Sequence, residues 1–499
     1  MVEKHGEHSH KTIIKAISVF GFTQVMKMLI AIVGSKFVAV FLGPVGIGTV
    51  ALLNNTVALI SSLTGFGINI TGIREMALAH AENNAGKFSE RFAVLQRLSL
   101  FIGLIGAIIT ILFSPLLSKW TFGTSEYYFW FIVLSMNYLF SSLSTSRIAI
   151  LQGLRMIKAV AISNLLISLC ITIVTIPIYY FIRFDGIVPV IVLSSAIGLL
   201  INRYYTRDIK ILKVKLTIAE TIIRAKPLMK MGLLLSINVI FVQICIYVTK
   251  LYFNGSGETA EILGFYEVST VILLSYVGMI FNAMSMDFYP RLTSVQSDNA
   301  KIKELVNDQI EIGLLLITPA ITLFYLLSPL LIEILYTKEF MGVLSILKAA
   351  LFAVILKAIT WPLGFILLAK GENKLYSKQE IAGDLLSLIV TIAGYHYWGL
   401  TGIGLSSVFN YSLYGIYVYR MLNKKFTFSI RKDTFSIIIV SSVIGVTNSL
   451  IVFVVDYPHA YFPIGIVLIV SLVYSFKELD KRIDMYSHFV TMGNRLRRL

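Results

Sequence analysis

The residues able to do chemistry in this sequence are few, and they sit where charge is costly. Gln24, Lys27 and Lys36 interrupt an apolar stretch from Phe20 to Gly48. Arg147, Glu267, Lys348, Lys357 and Asp384 fall within other apolar runs. A helix rises about 1.5 Å per residue, so a span entering near Lys15 carries Lys27 roughly 18 Å into a hydrocarbon slab about 30 Å thick. A cation at that depth costs roughly 2.5 to 3.5 kcal/mol even on the lenient insertion scale. It is therefore expected to face a wet or protein-lined interior and to wait for an anion. The candidate anion-binding set is Lys27, Lys357, Lys36, Gln24, Arg147 and Lys348, with Lys27 and Lys357 nearest mid-depth. Asp384 and Glu267 are the acids placed to take up a coupling ion. Lys27 and Lys36 are nine residues apart, as are Lys348 and Lys357. Nine steps of about 100° put the members of each pair on opposite faces of a straight helix.

Other chemistry is not encoded. No paired carboxylates, metal cluster or nucleophile with its base stands out, as an embedded glycosyltransferase or ligase would require. The turn Leu42-Gly43-Pro44-Val45-Gly46-Ile47-Gly48 has the order GxxGxG with no preceding strand, and so reads as a tight turn rather than a phosphate loop. Cys170 and Cys245 lie inside apolar runs, which argues against a disulfide framework or zinc site. His5, His8 and His10 belong to a polar tail with no cleavable signal pattern. No enzyme activity and no cofactor are expected.

The elements that must position these residues follow from composition. Over 499 residues, 57% are hydrophobic and 14% charged, with a mean hydropathy of +0.81. Soluble domains carry roughly 25% charged residues. The apolar runs are helix-length and lack strand-like alternation, so the fold class is all-α, polytopic and membrane-embedded. Fourteen spans are predicted at 16–41, 45–71, 98–113, 127–151, 159–181, 188–202, 231–253, 263–289, 311–333, 343–369, 379–396, 399–419, 434–455 and 462–476. The net charge of +16 is a matter of topology and not of nucleic acid: with the N-terminus inside, the outer loops hold only Lys119, Arg183 and Lys338. That bias orients both termini toward the cytoplasm.

The chain divides into a tail (1–15), a first six-helix bundle (16–202), a linker (203–230), a second bundle (231–419), an extra helix pair (434–476) and a basic tail (477–499). In the linker, Arg203, Arg207, Lys210, Lys213 and Lys215 among apolar residues suggest a helix lying along an anionic membrane face. Gly153 pairs with Gly371, Gly186 with Gly402 and Arg203 with Arg420, a repeat of roughly 217 residues that makes the bundles parallel copies.

Fourteen spans as six, six and two, a first-span lysine, the Leu42-Gly43-Pro44-x-Gly46-x-Gly48 turn and Arg74 after the second span resemble the Wzx-type O-antigen flippases. These form the polysaccharide-export branch of the superfamily that also holds the multidrug MATE exporters and the lipid II flippases. The resemblance implies translocation of an undecaprenyl-pyrophosphate-linked oligosaccharide across the bacterial inner membrane, from the cytoplasmic to the periplasmic leaflet. A cationic central cavity would hold the pyrophosphate and sugars, with Lys27 and Lys36 at the family's basic first-span positions. Membrane lipid, a polysaccharide polymerase and a chain-length regulator are the implied partners. The alternative within the superfamily is a MATE-like drug or cation antiporter, which would need more intramembrane acids than the sequence offers.

The charge bias is testable by labelling. In a background free of Cys170 and Cys245, single cysteines in 210–217 should be shielded from an impermeant thiol reagent in intact spheroplasts, whereas Ser125→Cys should react. Labelling of 210–217 from outside would reverse the orientation.

Overall fold

The computed structural model describes residues 2–82, 84–255 and 261–483. The side chains of His5, His8 and His10 and the distal tail, 484–499, lie outside the described residues. Among the described residues, all regular structure is helical. Hydrocarbon offers no hydrogen-bond partner to an open backbone, so helices are what an apolar chain of this composition must form.

Two tight turns are hidden inside long helices. Helix α1 (Val2–Thr64) is two helices joined at Gly43, whose φ of 62° and ψ of −170° precede Pro44. Only glycine takes that conformation cheaply, and proline is at ease in the first turn of the helix that follows. Helix α14 (Asn373–Phe426) is likewise two helices, joined at Trp398 and Gly399, where Gly399 has φ 55°. Ten helices are long and apolar enough to cross a membrane. Dividing α1 at Gly43, adding the two limbs of α14 and counting α5 (Tyr128–Leu134) with α6 (Met136–Gly153) as one crossing gives the fourteen expected from sequence.

The helices group into two compact units, Met1–Gly264 with Leu335–Thr337 and Phe265–Ile334 with Lys338–Leu499. The first contains α1, α2 (Ile68–Ala81), α3 (Ala85–Leu112), α4 (Ser114–Phe122), α5, α6, α7 (Ile157–Phe181), α8 (Ile187–Thr206) and α9 (Ile218–Gly255). Helix α10 (Ile262–Val271) begins as the first unit ends. The second contains α11 (Gly278–Ser294), α12 (Asn299–Leu335), α13 (Val343–Ala369), α14, α15 (Lys432–Val454) and α16 (Tyr461–Ile483).

Turn geometry carries the internal repeat more sharply than residue identity does. Helix α6 ends with Arg155 in the left-handed region (φ 55°) and α13 with Gly371 (φ 71°), 216 residues on. At the first turn the Met156 amide donates to the Leu151 carbonyl and the Arg155 amide to Gln152; at the second the Glu372 amide donates to Leu367 and the Gly371 amide to Leu368. Both are the same Schellman cap. The next turn has a left-handed residue at the same spacing, Arg183 in one copy and Gly399 in the other. A shared backbone solution at one fixed offset is what a duplicated unit leaves behind once its side chains have diverged.

The linker expected as a surface helix is helical only at its ends, where α8 runs to Thr206 and α9 starts at Ile218. Residues 210–217 form no helix, and Ile209, Ile211 and Leu216 pack against a core of Phe88, Phe92 and Leu95 while Lys210, Lys213 and Lys215 are exposed. The Leu212 amide donates to Ser89 Oγ at 2.9 Å, and the Arg97 guanidinium donates to the Leu216 carbonyl at 2.5 Å and Thr221 Oγ1 at 3.0 Å. Partners supplied by α3 replace the helical ladder. Thr217 and Glu220 then form a reciprocal cap that starts α9.

The C-terminal pair is tied on by ion pairs. Glu311 of α12 is 3% exposed. It accepts from Arg431 at 2.8 Å, Thr434 at 2.5 Å and the Arg482 Nε at 2.6 Å. Arg431 also reaches Asp308 at 2.6 Å, and Arg482 reaches Glu478 at 2.7 Å. Farther along, Asn448 donates to Thr322 at 2.9 Å, and Ser449 to the Lys348 carbonyl at 2.7 Å. Removing one partner of such a pair strands the other charges. Glu311→Ala should therefore cost about 3 kcal/mol or more, read as a lowered unfolding midpoint in detergent. An unchanged midpoint would show that the network does not hold α15 and α16.

Candidate functional site

Within the second unit, three helix faces converge. Helix α13 offers Lys357, Thr360, Trp361, Gly364 and Phe365, and the first limb of α14 offers Tyr376, Glu380, Gly383, Asp384 and Ser387. These positions recur every three or four residues, which places each set on one side of its helix. The second limb of α14 adds Asn410, Tyr411 and Tyr414. They enclose a cavity of about 450 Å³. The turn at Gly399 lets one helix supply two walls.

The cavity holds one ammonium and two carboxylates. Lys357 Nζ lies 5.2 Å from the centre of the Phe281 ring, a cation–π contact that steadies the ammonium at the aromatic wall. The opposite wall is a hydrogen-bonded chain: Gln379 Nε2 donates to Tyr414 Oη at 2.7 Å, and Tyr414 Oη donates to Glu380 Oε1 at 2.9 Å. Gly383 makes room for that chain, since a Cβ there would stand 2.8 Å from the Tyr414 ring. Asn410 Oδ1 and Gln379 Oε1 are buried and have no hydrogen-bond partner among the described residues. Leaving a buried acceptor unmade costs about 1–3 kcal/mol, and of the two only Asn410 lines the cavity, where a ligand donor would recover it.

Of the residues singled out from sequence, this cavity brings together Lys357 and Asp384. Lys348 points elsewhere, its Nζ 5.8 Å from the Phe453 ring of α15, as the nine-residue spacing required. In the first unit, Lys36 donates to the Tyr336 carbonyl, while Gln24 and Lys27 are exposed on α1. Arg147 is half-buried, its guanidinium 5.1 Å from the Phe92 ring. Glu267 is half-buried on α10. Glu380, Tyr414, Asn410 and the aromatic wall escaped the sequence reading. The signal that would have found the first of these is the four-residue step from Tyr376 through Glu380 to Asp384.

The repeat locates the equivalent positions in the first unit. At the offset of 216 set by the turns, Lys357 corresponds to Ser141, Trp361 to Thr145, Glu380 to Asn164, Asp384 to Ser168, and Asn410 and Tyr411 to Ser194 and Ser195. Ser141 and Thr145 line a cavity of about 260 Å³, but with residues of α1, α2, α3 and α9 and not with Asn164, Ser168, Ser194 or Ser195. The position is kept as a cavity wall, but the charge and the large ring are confined to the second copy.

Comparison with known proteins bears on what such a scaffold belongs to. A family profile described as polysaccharide biosynthesis protein matches residues 37–345. No curated protein matches the sequence. Among solved structures, an inward-facing multidrug resistance MATE family transporter of the MOP superfamily aligns with a TM-score of 0.67 at 13% identity, covering 83% of this chain and 98% of its own. The lipid II flippase MurJ in an inward closed conformation aligns with a TM-score of 0.67 at 13% identity, covering 96% and 100%. A MOP superfamily transporter from Pyrococcus furiosus gives 0.58 at 13%, covering 83% and 96%. At such identities the likeness is one of fold.

The packing of the cavity wall can be checked directly. Gly383→Val should push the Tyr414 ring and cost about 1–3 kcal/mol, lowering the unfolding midpoint, whereas Tyr414→Phe should cost less. A Gly383→Val midpoint at or above that of the parent would mean that Tyr414 does not lie against this glycine.

Proposed function

The chain belongs to the polysaccharide biosynthesis protein family, and from that premise we propose that it is a flippase for undecaprenyl-pyrophosphate-linked O-antigen or related polysaccharide repeat units. It moves them from the cytoplasmic to the periplasmic leaflet of the bacterial inner membrane by alternating access. The observation that carries this reading is a cation, Lys357, held in a polar cavity among membrane-crossing helices of a chain of that family. An ammonium about 4 Å from a phosphate is worth roughly 4 kcal/mol at an effective dielectric of 20. Lys27, with Gln24 beside it on α1, supplies a second cation, and Lys36, Arg147 and Lys348 are secondary contacts in the proposal. The polyprenyl tail stays in lipid. A polymerase and a chain-length regulator would receive the product.

Asp384 is proposed to couple transport to a proton or sodium gradient, with Glu380 beside it in the cavity and Glu267 as a further acid. A second reading, cation or drug antiport, draws on the same two carboxylates and on the fold shared with the MATE transporter. The family and the lysines favour the lipid-linked anion.

Depletion in the source cell should leave lipid-linked repeat units on the cytoplasmic leaflet. Lys27→Ala and Lys357→Ala should abolish surface polysaccharide at normal membrane abundance, and Lys27→Arg should keep part of it, because the charge survives in a different shape. Asp384→Asn should slow transport in a folded protein. Normal surface polysaccharide in the depleted cell together with lost drug efflux would select the antiporter reading, and full transport with every ion gradient collapsed would remove coupling.

A further inference from the structure

The aromatic wall of the second-unit cavity is built with more care than an anion site needs. Trp361 and Phe365 line the cavity, and their rings meet at 5.1 Å and 66°. Behind them, Phe281 packs on Trp361 at 5.6 Å, Phe288 on Trp361 and Phe365 at 5.9 Å each, and Tyr289 on Phe365 at 5.7 Å. Three rings thus fix the two that border open space. The same cavity is lined by acceptors and hydroxyls: Glu380, Asp384, Asn410, Ser387 and the tyrosines. Asn410 Oδ1 is buried without a partner among the described residues. An aromatic surface on one side, convergent polar groups on the other and a volume of about 450 Å³ describe a small-ligand pocket rather than a packing defect, since such pockets run to roughly 300–1,000 Å³.

A pyranose has this same division. One face presents C–H groups that lie against a ring system, and the rim presents hydroxyls that donate to carboxylates and amide oxygens, with the bonds to charged acceptors the stronger ones. A purely cationic ligand would use the carboxylates and the aromatic wall but meet the charge of Lys357; a bare pyrophosphate would use Lys357 and leave the aromatic wall and the acceptors unused. Resting on the flippase reading above, we infer that this cavity is a sugar subsite, which holds one pyranose ring of the lipid-linked glycan. Its C–H face stacks on Trp361 and Phe365, and its hydroxyls donate to Glu380 and Asn410. Lys357, on the same helix face as Trp361, remains available to the pyrophosphate. At the corresponding first-unit positions Ser141 and Thr145 stand in place of Lys357 and Trp361, so the ammonium and the indole belong to the second unit alone among these equivalent positions.

The test uses the purified full chain in nanodiscs and two probes: the lipid-linked repeat unit extracted from the source cell, and bare undecaprenyl pyrophosphate. The parent should bind the glycosylated lipid about tenfold or more tightly than the bare lipid, since hydrogen bonds to charged and buried acceptors are at stake. Trp361→Ala and Asn410→Ala should each remove most of that difference, weakening the glycosylated lipid far more than the bare one, and Trp361→Phe should retain part of it. Asn410→Ala leaves the ring stack untouched, so it keeps the test decisive if Trp361→Ala unfolds. Equal affinity of the parent for the two probes overturns the sugar subsite and leaves the flippase reading standing. Parallel loss of both affinities in Asn410→Ala also overturns it, as a structural role would give. Binding of neither lipid by the parent overturns both.

Discussion

An ionised side chain in hydrocarbon must be paired, hydrated or moved out of the membrane, and nearly every choice in this fold follows from that cost. Several deep charges have a specific answer. Lys36 is satisfied by a backbone carbonyl, Arg147 and Lys348 by aromatic faces, and Glu311 by two guanidinium groups and a hydroxyl. Lys357, Glu380 and Asp384 are answered instead by a cavity. The same cost acting on the backbone forces helices throughout, so the turns become the places where the chain can vary. There glycine or a strained residue in the left-handed region does the work, at Gly43, Arg155, Arg183, Gly371 and Gly399.

What could be read from the sequence is what periodicity and charge alone encode. The fourteen crossings, the turn at Gly43 and the opposite faces of Lys348 and Lys357 all rest on helix geometry, and that geometry holds. Lys357 and Asp384 were picked out for depth alone, on different spans, and fold into one cavity. Glu380 was passed over because it lies close to the end of its span, where an acid ordinarily needs no explanation. The Glu311 network joins residues more than a hundred positions apart, and no local pattern announces such a contact. The misreading of 210–217 has a clear cause. Its apolar residues and lysines fit an amphipathic helix by composition, but Ser89 and Arg97 of α3 offer its backbone other partners, and the Thr217 cap defers the helix to α9.

Duplication explains how the cavity came to be available for specialisation. Two copies with the same turns supply two sets of equivalent helix faces, and only one carries acid, base and tryptophan. The copy with serines can keep its packing while the other takes on chemistry, because hydroxyls satisfy themselves on the preceding helical turn, as Ser141 and Thr145 do on the carbonyls of Tyr138 and Ser141. A charged residue has no such local escape and must be met by another element.

Trp361 gives the molecule an optical property. The chain has four tryptophans; Trp120 and Trp398 are 53% and 58% exposed, and Trp130 is packed among Phe122, Tyr127 and Phe184. Trp361 alone among them borders the second-unit cavity. Its indole emission there depends on how polar and how filled that space is, so the unmodified protein carries a fluorescent reporter of its own interior.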